Sequence, residues 1–175
     1  MRNSIKEKLV AGEVVFGQMV MEFFTPGLPY LLARHGLDYA LFDMEHGRCD
    51  LALLSEMVFA SRAAGIAPFV RVPDVAFAPL SRVLDIGVAG VMVPRVETPE
   101  QMRSIVSALK YAPEGKRGVA LGFAHDDYHS RPAYLAQAND VTLVIALFET
   151  AAAFDRLDEI VTTPGLDVAG WAITT

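Results

Sequence analysis

Six short apolar runs, at residues 14–21, 39–42, 66–72, 88–93, 141–148 and 166–173, alternate with segments of helical period. Runs of this length, bounded by turn residues, read as strands. Their alternation with helices implies a parallel sheet with right-handed crossovers. Two closures satisfy the pattern, a doubly wound open sheet and a (β/α)8 barrel. Neither Gly-x-Gly-x-x-Gly nor a P-loop follows the first run, so the nucleotide-binding open sheets lose weight. A full barrel takes about 250 residues, and a barrel of 175 residues would stop after its sixth strand.

The helices between the runs carry their own start and stop signals. Residues 4–10 form a short amphipathic helix, expected to lie as a lid on one end of the fold. Pro26-Gly27-Leu28-Pro29 opens a helix that Gly36 closes. Asp50 caps a helix with apolar residues at Leu51, Leu54, Met57 and Val58, and Gly65 ends it. Residues 77–84 form a short helix closed by Asp85-Ile86-Gly87. Thr98, Pro99 and Gln101 give a capping box with proline at the first helical position. Residues 113–131 form a long connection rich in Gly, Asp and His, and 151–161 are helical.

Composition narrows the function. No apolar run approaches the roughly 18 residues a membrane span needs, and the charged start lacks a signal-peptide core, so a cytoplasmic protein is expected. Net charge is −6 and no Lys/Arg cluster exists, which argues against nucleic acid and leaves room for a local cationic site for a small acid. The single cysteine, Cys49, excludes an internal disulfide and reads as packing, although neighbouring Arg48 and His46 favour a lowered thiol pKa. Met19, Met21, Met92 and Met102 read as core filler. Arg34 and His35 read as helix surface.

The chemistry-bearing residues sit where the strands end. The run at 39–42 passes into Asp43-Met44-Glu45-His46, and the next runs end in Arg71, Arg95 and Glu149. Parallel α/β sheets place their sites at C-terminal strand ends, and in a barrel these four would converge on one mouth. Such a mouth would hold a base in His46, a fixed cation in Arg71 and a metal-binding carboxylate in Glu149. One carboxylate is a thin shell for a hard divalent ion, so a second is expected from a neighbouring strand. Arg71 has a structural alternative, an ion pair with Asp43 or Asp85. His125, Asp126, Asp127 and His129 read as a surface loop beside the mouth.

Leu37-Asp38-Tyr39-Ala40-Leu41-Phe42-Asp43-Met44-Glu45-His46 resembles the Asp-x-Glu-His signature of the HpcH/HpaI aldolase family. So do Val70-Arg71-Val72-Pro73, Leu84-Asp85-Ile86-Gly87-Val88 with Val93-Pro94-Arg95-Val96, and Lys110-Tyr111-Ala112-Pro113-Glu114-Gly115-Lys116-Arg117-Gly118. The strand closing on Glu149-Thr150 fits as well. The resemblance implies a (β/α)8 TIM barrel, here one domain over 1–175 truncated after the sixth strand, from a homohexamer with an exchanged C-terminal helix. It also implies a class II aldolase that works on 2-oxo acids through a pyruvate enolate with a divalent ion, Mg, Mn or Co. Substrates of the 4-hydroxy-2-oxoheptanedioate or 2-dehydro-3-deoxyglucarate kind, with an aldehyde partner, are expected.

Carried over, the resemblance makes His46 the base, oriented by Asp85. Arg71 would bind the enolate oxygen, and Glu149 would be the first metal ligand. Two departures stand out. The family has Gln two residues before the metal Glu, where this chain has Leu147. Its second metal ligand, an Asp in a Gly-Pro-x-Asp type turn, would fall just past Thr175, and the last two barrel strands are absent. A citrate-lyase-beta-like acyl-CoA lyase and a non-catalytic partial barrel are the alternative readings.

Overall fold

The computed structural model describes residues 3–172, with the backbone alone at 77–79. The end of the run expected at 166–173 therefore lies outside the described residues. Among the described residues six strands form one sheet in the order β1 (Gly17–Val20), β2 (Tyr39–Asp43), β3 (Ala67–Arg71), β4 (Gly90–Val93), β5 (Leu143–Phe148) and β6 (Val168–Trp171). Every neighbouring pair is parallel. A doubly wound sheet reverses its strand order part-way. This order never reverses, and the sheet is a partial barrel of six strands.

Strand alternation divides the apolar residues between two cores. On the outer face Phe42, Val70, Val91, Val144 and Phe148 pack with Leu54, Met57, Leu80, Met102 and Ile105 from the surrounding helices. These come from α3 (Leu51–Ala64), α4 (Phe77–Ile86) and α5 (Pro99–Leu109). On the inner face Leu41, Phe69, Leu143 and Ile145 form a second core with Met19, Met92 and Val168.

The short helix α1 (Ser4–Val10) closes one end of that inner core by inserting Ile5, which is buried. Asn3 caps α1 through the N–H groups of Ile5 and Lys6, and its side-chain amide donates to Ala89 O and Val141 O at 2.9 and 2.8 Å. Both carbonyls lie just before strands, so α1 is a lid on the N-terminal end of the barrel. The opposite end, where the strands finish, remains for chemistry.

The helix signals hold in detail. Asp50 accepts from Leu53 N, Gly65 ends α3 at φ 75°, and Thr98 with Gln101 forms the capping box of α5. α2 (Gly27–Arg34) leaves Arg34 and His35 on the surface.

Several elements differ from expectation. β1 begins at Gly17, not at 14, because the Asp38 carboxylate and the Asp38 and Tyr39 N–H groups take up Phe16. A Cβ at residue 17 would come within 2.2 Å of the Tyr39 ring. Met21 is 42% exposed just past the strand, and so is not core. The segment 151–161 breaks at Arg156 (φ −119°, ψ 17°) into α7 (Ala151–Asp155) and α8 (Leu157–Val161).

The long connection holds a 3-10 turn (Ala124–Asp126) and leads into α6 (Ala133–Val141), which the apolar pattern did not signal. α6 is fixed by Asn139, which accepts from Tyr111 N and donates to Tyr111 O. No helix among the described residues is long and apolar enough to cross a membrane.

Candidate active site

Asp43 and Arg71 end β2 and β3, and the sheet places them side by side in register. Leu41 and Phe69, two residues earlier, face the inner core, so Asp43 and Arg71 point inward at the C-terminal mouth. Arg71 Nε and Nη2 donate to the two Asp43 oxygens at 2.8 and 2.7 Å. Asp43 also accepts from the backbone N–H groups of Glu45 (3.0 Å) and His46 (3.3 Å). One buried carboxylate thus fixes both the guanidinium and the start of the loop.

Burial alone would push the Asp43 carboxyl up. The bonds from Arg71, Glu45 and His46 outweigh it and hold Asp43 below the ordinary carboxylate range. Arg71 is held above its usual value, first by its hydrogen bond to Asp43.

Glu45 leans back over this pair. Its Oε2 lies 3.2 Å from Arg71 Nη1 and its Oε1 lies 3.5 Å from Arg95 Nη2. The first contact is a charge contact without hydrogen-bond geometry, since Oε2 is buried and has no directed donor. His46 Nε2 is 3.8 Å from the same Oε2, with the imidazole 61% exposed. The loop turns tightly under the end of β1, where a Cβ on Gly47 would meet Met21 O at 2.5 Å.

Across the mouth, Glu149 follows β5, and its Oε2 accepts from the Arg95 N–H at 3.1 Å. Leu147 fills the inner-face position two residues earlier and is buried. His46, Arg71 and Glu149 are therefore brought to one rim, joined by Glu45 and Arg95.

Asp85 is not. It lies in the last turn of α4, which runs back to the N-terminal end of the strands, and it accepts from Arg117 Nη2 at 2.6 Å. Within this chain Asp85 lies away from His46 and pairs with Arg117. The carboxylate beside His46 is Glu45. His125 and Asp126 also belong to the N-terminal end: both are 1% exposed, and His125 Nδ1 lies 3.3 Å from Asp85 O. Asp127 and His129 of the same loop are exposed as expected, whereas His125 and Asp126 are buried and do not neighbour the mouth. The structural alternative for Arg71 is present in the bidentate pair with Asp43.

Cys49 is buried below the mouth loop. Burial, with Asp50 and Asp43 nearby, pushes its thiol up to about 12. The thiolate favoured by Arg48 and His46 does not arise. Native protein at pH 8 is expected to resist iodoacetamide at Cys49 until denaturant is added; rapid native alkylation would contradict this burial.

A hard divalent cation wants carboxylate and water oxygens. Glu149 has one oxygen occupied by Arg95 N and the other without a hydrogen-bond partner among the described residues, so the donor fits in kind. It falls short in number, since no three His, Cys, Asp or Glu side chains among the described residues converge.

The sequence model of the HpcH/HpaI aldolase/citrate lyase family matches residues 24–172. The chain belongs to that family. This HpcH/HpaI family member is 35% identical over 166 residues to a 4-hydroxy-2-oxovalerate aldolase of Novosphingobium aromaticivorans, covering 94% of this chain and 63% of that one. Its structure resembles that of an HpcH/HpaI aldolase from Desulfitobacterium hafniense DCB-2 with a TM-score of 0.91 and 32% identity, over 96% of this chain and 65% of that one. It also resembles the citrate synthase SbnG with a TM-score of 0.85 and 28% identity, over 96% and 64% of the two chains. The chain thus spans less than two thirds of the length of each.

Proposed function

We propose that this protein is a carbon–carbon lyase that cleaves and forms 4-hydroxy-2-oxo acids through the enolate of pyruvate. The observation that carries the reading is Arg71, held rigid by Asp43 at the mouth with His46 and Glu149 on the same rim. In the condensing direction a proton leaves the pyruvate methyl carbon for His46 Nε2, and the electron pair moves onto the 2-oxo oxygen. Arg71 supplies fixed positive charge to that oxygen, already oriented before the charge develops. Glu45 beside His46 stabilises the imidazolium as it forms. The enolate carbon then bonds to the aldehyde carbon, and the aldehyde oxygen takes up a proton.

A divalent ion (Mg, Mn or Co) held by Glu149, with water completing its shell, would act as a Lewis acid on the 2-oxo group. The aldolase names of the relatives support this class of substrate. The finer assignment is to 4-hydroxy-2-oxoheptanedioate or 2-dehydro-3-deoxyglucarate. Phe23 and Trp171 are largely exposed, which favours a homo-oligomer, hexameric by family resemblance.

Metal-dependent release of pyruvate from a 4-hydroxy-2-oxo acid tests the reading. Absence of release with Mg, Mn and Co alike would contradict it. Glu149→Gln is expected to weaken Mn binding at least about tenfold by calorimetry with the fold intact, because an amide is an uncharged and poorer donor. Unchanged affinity would remove Glu149 from the metal.

A further inference from the structure

We propose that Arg95 is a specificity-determining residue, whose guanidinium receives a carboxylate on the aldehyde partner. This rests on the pyruvate-enolate reading above and adds to it the residue that reads the carboxylate of the second substrate.

The two cations at the mouth are differently employed. Arg71 is buried and bound through two nitrogens to Asp43, with Glu45 against its third. Arg95 is 60% exposed, and its Nη2 donates to Pro73 O at 3.3 Å and stands 3.5 Å from Glu45 Oε1. Its Nε and Nη1 have no hydrogen-bond partner among the described residues. A contact that long and that exposed contributes little to folding, so the guanidinium is free to exchange Glu45 for a ligand carboxylate. Its planar fork matches a carboxylate through two parallel bonds.

The backbone at Arg95 points the same way. Its φ is 52°, the left-handed region that glycine adopts without strain and side-chain-bearing residues avoid. That conformation turns the Arg95 N–H onto Glu149 Oε2. That bond uses only the Arg95 backbone and leaves the Arg95 side chain to other contacts. Its side chain crosses from the end of β4 toward the ends of β2 and β3, over the site proposed for the enolate. An aldehyde approaching that enolate would pass beneath a cation with unused donors.

The test compares two aldehydes of equal length, 4-oxobutanoate and butanal, each condensed with pyruvate in the presence of Mn. The parent is expected to favour 4-oxobutanoate in kcat/KM, with a KM that rises with added salt for 4-oxobutanoate and not for butanal. Arg95→Gln is expected to lower the ratio of the two kcat/KM values about 10- to 100-fold, mostly through KM for 4-oxobutanoate, as loss of a charged hydrogen-bond pair implies. Arg95→Lys keeps the charge and is expected to retain most of the ratio. All three proteins carry a Cβ at the left-handed position, so backbone strain is the same in each.

A parent without preference, a salt response equal for both aldehydes, or an unchanged ratio in Arg95→Gln would each overturn the proposal. Deuterium uptake by pyruvate in the parent, without any aldehyde, separates the two readings. If uptake is present and the ratio does not respond, Arg95 alone is misassigned. If uptake is absent, the enolate reading falls and this proposal falls with it.

Discussion

Arg71→Met is expected to lower the stability of the folded chain by about 3–5 kcal/mol, the cost of leaving a buried charge without its partner. Asp43 is 0% exposed, and Arg71 supplies two of its four hydrogen bonds. Methionine fills similar space and returns none of the charge. The double variant Asp43→Leu/Arg71→Met removes both charges and is expected to recover part of the loss, although the Glu45 and His46 N–H groups then lose their acceptor. Urea midpoints for the parent, both single variants and the double variant measure this directly. Equal stability in parent and Arg71→Met would show that the pair is not the buried anchor described above.

The same pair sets a dependence on pH. Asp43 is held below its ordinary pKa in the parent, so the pair contributes in full above the unfolded carboxylate range, near pH 4. That contribution is lost as pH falls through the lower folded value. In Arg71→Met the burial effect is no longer opposed by Arg71, and the Asp43 carboxyl rises. The variant is then least stable at neutral pH and gains relative to the parent on mild acidification. Opposite slopes of stability against pH for the two proteins are the expected signature.

His46→Ala is expected to reduce turnover by roughly 10²–10⁴, the range for loss of a positioned general base. Stability should change little. The imidazole is 61% exposed and approaches Glu45 at 3.8 Å. The backbone N–H of residue 46 continues to bond Asp43 in the variant. A variant that folds like the parent and turns over like the parent would remove His46 from the chemistry.

The barrel topology was legible because its strands are short apolar runs punctuated by strong helix signals, as at Asp50, Gly65 and Thr98. The mouth was legible for a related reason. Residues that follow a parallel strand share one end of the sheet, so Glu45, His46, Arg71, Arg95 and Glu149 converge without any knowledge of side-chain geometry.

Pairing at that end was less accessible. Asp43 and Arg71 are 28 positions apart in the chain, and only the register between β2 and β3 makes them partners. Asp85 illustrates the converse. It stands close to strand residues in sequence, but a crossover helix runs antiparallel to its strands, so its last turn lies at the far end. The buried His125–Asp126 turn was hidden by its polar composition, which resembles a solvated loop. α6 was hidden because its apolar stripe is short, Tyr134, Leu135 and Ala138, and is followed at once by Asn139 and Asp140.

Deuterium uptake into the methyl group of pyruvate, followed by NMR in deuterated water with Mn present and no aldehyde, isolates proton removal at the mouth. The parent protein should exchange the methyl protons well above the protein-free rate, and His46→Ala should bring that rate down by two or more orders of magnitude. Exchange that persists at the parental rate in His46→Ala, or a parent that exchanges no faster than buffer, would contradict an enolate site built from these strand ends.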